Sequence, residues 1–250
     1  MALATSLRKT TISRASIAKS FIPPLLWRQI YQRLIVGKIA DAALYQPLYS
    51  PWLAPEFVAT YREISPFTMV SIERCWTLNQ MLAQALNVEG DVMEAGVFQG
   101  GTARLLKDGM ADASKKSLRL FDSFQGMEHV SRAADRHREG DFTDTSLDRV
   151  KDVVGREPSI DYRQGWIPQT FAGLESNRFC FAHIDLDLHR SILDCLEFVY
   201  PRLSPGGILI FDDYGFPSCP GARRAVEEFF AARPERPLAL MTGQALVVKL

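Results

Sequence analysis

The chain has 250 residues, 47% hydrophobic and 23% charged, enough for one sizeable α/β domain with a smaller N-terminal extension. Lys+Arg and Asp+Glu balance at 29 each, so the overall field recruits neither nucleic acid nor acidic polymer. Cys75, Cys180, Cys195 and Cys219 stand far apart, with no CxxC or Cys/His ligand spacing, and read as reduced thiols in a reducing cytoplasm. Between Met1 and Asp41 the cations Arg8, Lys9, Arg14, Lys19, Arg28, Arg33 and Lys38 have no acid to balance them. The apolar stretch Phe21–Trp27 is too short for a membrane span, which takes ~20 residues, and Pro23–Pro24 break it. Residues 1–65 therefore read as a basic arm with a helical extension, poorly ordered or partner-packed, with contact to an anionic surface or a partner as the alternative, and 66–250 as the main domain.

From Pro66 to Leu86, apolar residues at Met69, Ile72, Cys75, Trp76, Leu78, Leu82 and Leu86 recur at near-helical spacing and predict an amphipathic helix. Strands and helices then alternate. Strands are expected at Asp91–Glu94, Ser117–Phe121, Ser159–Arg163, Phe179–Ile184 and Ile208–Phe211. Helices are expected over Thr102–Gly109, Ser146–Val154, Arg190–Leu203 and Gly221–Ala232, with Ser204–Gly207 as a turn. Leu238–Met241 and Ala245–Leu250 flank Thr242–Gly243 as a terminal hairpin. The fold class is α/β: a doubly wound, Rossmann-like sheet, parallel except for its last strand. The polar stretch from Glu128 to Thr145 is long for a connection and reads as a lid.

In open α/β sheets, ligands bind beyond the carboxyl ends of the strands, so the informative residues follow each strand. After the first comes Glu94-Ala95-Gly96-Val-Phe-Gln-Gly100-Gly101-Thr102, a turn leading into a helix N-terminus. An acid before the first glycine, with no compact G-x-G, argues against a nicotinamide cofactor. After the second stands Asp122, placed to accept from the hydroxyls of a ribose. After the fourth and fifth stand Asp185-Leu-Asp187 and Asp212-Asp213. If those strands are neighbours, Asp185, Asp212 and Asp213 converge, and three close carboxylates repel unless a hard cation such as Mg²⁺ neutralises them. Strand alternation turns Asp187 away from Asp185. His183 reads as a core residue, and His129 and His137 as solvent-exposed lid positions.

These segments, with Thr68-Met-Val-Ser-Ile-Glu-Arg74, Gln164-Gly-Trp166 and Pro205-Gly-Gly207, resemble the macrocin, mycinamicin and novobiocin sugar O-methyltransferases. The resemblance runs from about Thr68 to Gln244. It implies S-adenosyl-L-methionine as cofactor, with Glu94, Ala95 and Gly96 holding its methionine part and Asp122 and Ser123 its ribose. Gln164 and Trp166 would border the adenine, with Met69 and Val70 closing over the cofactor. Asp185, Asp212 and Asp213 match the family's metal ligands, and Ser191 a substrate contact. The expected reaction is Mg²⁺-dependent methylation of a sugar hydroxyl, with Asp185 taking the proton; the substrate is a small molecule or glycan, and self-association is open. Leu186 in place of a small residue and the unmatched 128–141 stretch are departures. A catechol-like phenol as acceptor, a non-catalytic cofactor-binding role and a nicotinamide oxidoreductase are the competing readings.

Overall fold

The computed structural model describes residues 50–113, 115–128 and 130–250. The basic arm, Phe21–Trp27 and His129 lie outside the described residues. Trp52–Leu250 forms one compact unit. It opens with helix α1 (Pro55–Ile64), whose Phe57 and Ile64 enter the core. Helix α2 (Ile72–Ala85) buries Cys75, Leu78, Leu82 and Ala85, a repeat of three to four residues that sets one face inward. It starts later than the apolar pattern suggests. Pro66 sits in a single 3-10 turn, and Thr68 is extended, its hydroxyl accepting from the Val70 amide at 3.0 Å. Residues 68–71 are thus a strap rather than a helical turn.

The sheet comprises β1 (Asp91–Ala95), β2 (Leu118–Asp122), β3 (Ile160–Gln164), β4 (Phe179–Ile184), β5 (Leu203–Phe211), β6 (Leu238–Ala239) and β7 (Ala245–Val248). Its order is β3-β2-β1-β4-β5-β7-β6, parallel from β3 to β5, with β7 antiparallel to both its neighbours. The expected turn at Ser204–Gly207 is instead a bulge inside β5. Its pairing with β4 jumps from Phe179↔Leu203 to Phe181↔Ile208, and Gly206 takes φ +82. Helices α3 (Gly101–Gly109) and α4 (Leu147–Val154, capped by Ser146) join α2 in one core. Helices α5 (His189–Val199) and α6 (Pro220–Phe230) build a second core with the alternate residues of the central strands. In β5, Ile208 and Ile210 serve one core and Leu209 and Phe211 the other, the period of two of a strand buried on both faces.

Register positions the site. Phe121, Ala95, Ile184 and Phe211 pair across β2, β1, β4 and β5 as one rung. Their successors Asp122, Gly96, Asp185 and Asp212 therefore emerge together, on strands about 4.8 Å apart. Among the described residues, no helix is long and apolar enough to cross a membrane.

Candidate active site

A cavity of about 700 Å³ opens over these strand ends. Its β1/β2 half is built by backbone. Gly96 has φ +87, and a Cβ there would stand 1.8 Å from the Asp185 carbonyl oxygen, so only glycine lets the two turns meet. One Asp122 oxygen accepts from the Val97 and Phe98 amides at 2.7 and 2.9 Å, and the other from Phe124 at 2.6 Å. Phe98 and Phe124 both have positive φ, and the carboxylate holds these strained turns in place. Of the cofactor residues expected from sequence, Met69, Val70, Gly96, Asp122, Ser123 and Trp166 line the cavity. Glu94 and Ala95 are fully buried and Gln164 is exposed at the end of β3, and none of the three contributes to the lining.

A row of buried charge runs beneath the other half. Glu94 Oε1 lies 2.7 Å from His183 Nδ1, and His183 Nε2 is 3.6 Å from Asp212 Oδ1. Burial opposes charge on His183, but the Asp212 and Glu94 carboxylates outweigh it and hold the imidazole up at about 10. Asp212 also accepts from Gln244 Nε2 at 2.8 Å, and its other oxygen pairs with Arg74 of α2. The Arg74 guanidinium further donates to the Met69 carbonyl at 2.9 Å and lies over the Phe216 ring. It ties the strap to the end of β5. His183 is a core residue, as expected, but a charged one.

Oxygens of Asp185, Asp187 and Asp213 all lie within 4.8 Å of one another. Strand alternation had turned Asp187 away; the structure brings it in because β4 ends at Ile184 and Asp187 adopts φ +57. Its amide donates to Asp213 Oδ2 at 3.2 Å. Burial, followed by Asp212 and Asp213, pushes the Asp185 carboxyl well above its ordinary range. Burial and the charges of Asp187 and Asp212 do the same to Asp213. Asp212 goes the other way: burial raises it, and His183 and Arg74 more than compensate. So Asp185, Asp187 and Asp213 share one space, while Asp212 lines the same cavity with both oxygens already engaged.

Ser191, on the first turn of α5, lines the cavity too. The polar segment before α4 folds over this side. Asp135 Oδ1 accepts from the His189 amide at 3.0 Å, capping α5, and its Oδ2 accepts from Ser131 at 3.0 Å. Phe142 meets Phe98 edge-on at 5.6 Å. His137 is not solvated as its loop position suggested; its ring faces Asp141 on one side and Asp187 and Cys219 on the other. The sequence assigns no role to Arg74 or Gln244, and gives His137 only an exposed position in the lid.

Residues 59–241 match the model of the macrocin O-methyltransferase (TylF) family. The chain is 31% identical to mycinamicin III 3''-O-methyltransferase of Micromonospora griseorubida, over 78% of this chain and 80% of that one. It is 32% identical to 8-demethyl-8-(2,3-dimethoxy-alpha-L-rhamnosyl)-tetracenomycin-C 4'-O-methyltransferase of Streptomyces olivaceus, over 65% and 67%. Among solved structures, the O-methyltransferase NovP superposes with a TM-score of 0.65 at 24% identity, covering 90% of this chain and 98% of NovP. The family model and the relatives agree: the chain belongs to the macrocin O-methyltransferase family and is an O-methyltransferase.

Proposed function

We propose that this enzyme transfers a methyl group from S-adenosylmethionine to a hydroxyl of a sugar, with a hard divalent cation such as Mg²⁺ in the carboxylate cluster. The observation that carries the reading is the meeting of Asp185, Asp187 and Asp213 beside a cavity large enough for a nucleoside and an acceptor. The donor set fits: it is all oxygen, and burial, followed by the neighbouring carboxylates, raises the carboxyls of Asp185 and Asp213 above their ordinary range. Glu94 Oε2 is buried, without a hydrogen-bond partner among the described residues, and lies two positions before Gly96, outside the cavity lining. When bound, S-adenosylmethionine supplies an electrophilic methyl, and the cation supplies positive charge that makes a nearby hydroxyl more acidic.

The chain's own residues do the rest. The Gly96 turn and Asp122 preform the nucleoside side, and Met69, Val70 and Trp166 cover it. Asp185 and Asp213 would hold the cation. Asp187 is the nearest third donor in this geometry, and Asp212 the third donor that the family resemblance implies. Asp185 would take the proton from the acceptor hydroxyl, and Ser191 and Leu186, which line the cavity, would face the acceptor. Phe98, Phe142 and Phe216 give that side aromatic walls, the feature that would favour a phenolic acceptor.

The test pairs two measurements. Calorimetry of S-adenosylhomocysteine should show binding with and without Mg²⁺. Methyl transfer to a panel of glycosylated and catecholic acceptors should proceed only with the glycosides and stop with a chelator. Activity that survives the chelator would remove the cation, and turnover confined to catechols would replace the sugar. Asp187→Asn and Asp212→Asn, compared for the Mg²⁺ concentration at half-activity, tell which carboxylate is the third ligand.

A further inference from the structure

Beside the carboxylate cluster lies a second group of different chemistry. His137 comes from the segment before α4, Asp187 from the turn after β4, and Cys219 from the N-cap of α6. His137 Nε2 is 3.4 Å from Asp187 Oδ1 and 3.5 Å from Cys219 Sγ, and Sγ is 3.1 Å from Oδ1. We propose that these three side chains form a second site, joined to the carboxylate cluster through Asp187, for a thiophilic divalent ion of the Zn²⁺ class, which clasps the overlying segment to the N-terminus of α6.

Zinc bonds to nitrogen, oxygen and sulfur of ~2.0–2.3 Å make tetrahedral edges of roughly 3.3–3.7 Å, so the triangle needs only a few tenths of an ångström of adjustment. A sulfur, a nitrogen and one carboxylate select a borderline or soft ion over Mg²⁺. The surroundings are those of a metal-binding histidine. His137 Nδ1 sits 3.2 Å from Asp141 Oδ2, which also accepts from the Arg138 amide at 2.9 Å. A carboxylate behind the distal nitrogen is the partner that fixes a ligating imidazole with its other nitrogen toward the ion. All three ligands line the cavity, which leaves a fourth position for water or an acceptor group. On binding, the Cys219 S–H bond is exchanged for a sulfur–metal bond and the proton leaves to solvent. No CxxC or HxxxH spacing announces the site, because its ligands come from three elements.

Co²⁺ added to the full-length protein is the probe. The expected result at one equivalent is a near-ultraviolet thiolate-to-metal charge-transfer band with the intense visible bands of a four-coordinate ion. The charge-transfer band should vanish in Cys219→Ser, weaken in His137→Gln, and persist in Asp185→Asn. Both ligand variants are close in size to the native side chains, and circular dichroism checks their folding. A six-coordinate cobalt spectrum without charge transfer, or an undiminished band in Cys219→Ser, overturns the site. Zn²⁺ should also slow proteolysis within 130–145 in the native chain and not in Cys219→Ser; equal rates overturn the clasp. Since the cluster variant Asp185→Asn keeps the band, failure of the Mg²⁺ reading leaves this result standing.

Discussion

The two halves of the strand-end cavity handle negative charge in opposite ways. At β1 and β2, Asp122 is answered by three backbone amides of its own fold, and the socket is complete without a ligand. At β4 and β5, Asp185, Asp187 and Asp213 face one another; Arg74 and His183 are committed to Asp212, and His137 lies beside Asp187. Folding solves the first problem, and in the proposed function the second is left to a cation. A carboxylate that accepts backbone hydrogen bonds stabilises the native chain, whereas carboxylates buried against each other destabilise it until a cation arrives. The contrast can be broken from either side.

The largest effect is expected at the unsolved half. Asp185→Asn should lower turnover by about 10²–10⁴-fold, the range for loss of a proton-accepting group. S-adenosylhomocysteine should still bind with nearly native affinity, because the β1/β2 socket does not depend on this side chain. Equal losses of turnover and cofactor affinity would mean that the halves are not separate.

Opposite signs are expected for the two carboxylates in stability. Asp122→Asn removes charge from an oxygen that serves two amides and should cost about 1–3 kcal/mol, read as a lower unfolding midpoint. Asp213→Asn, measured in a chelator at neutral pH, should raise the midpoint by a few degrees. The sign follows from the raised carboxyls of Asp185 and Asp213. The native state keeps protons that the unfolded chain loses above about pH 4, so ion-free stability falls as pH rises from there through the higher native values. The advantage of Asp213→Asn should therefore shrink as pH returns toward 4, and Mg²⁺ should stabilise the native chain more than the variant.

The same division explains what could be read from the sequence. Glu94-Ala-Gly96, Asp122, Asp185 and Asp212-Asp213 stand out because each follows an apolar run, and a parallel sheet aligns such strand ends whatever its loops do. Asp187 was turned the wrong way because alternation applies only inside a strand, and this residue is already in a left-handed turn. The partners that decide the fate of Asp212 come from far away: Arg74 is 138 positions distant and Gln244 is 32. Neither lies in a periodic pattern that would announce it. The polar segment before α4 could be located but not folded from sequence, since its anchors are single hydrogen bonds such as His189 to Asp135 rather than a buried face. Ser65-Pro66 delayed α2, and that delay is what frees 68–71 to form the strap.

The smallest effect tests that strap. Met69 is 68% exposed at the mouth of the cavity, held there because Arg74 grips its carbonyl while its side chain remains outside the core. If its role is to cover the cofactor, Met69→Ala should weaken S-adenosylhomocysteine binding by about 3–10-fold, the loss expected for part of one apolar side chain. Stability should stay within about 0.5 kcal/mol of native, as for other surface substitutions. Unchanged affinity would show that the strap is a passive linker between α1 and α2. A parallel drop in stability would place Met69 in the fold rather than in the binding half of the comparison.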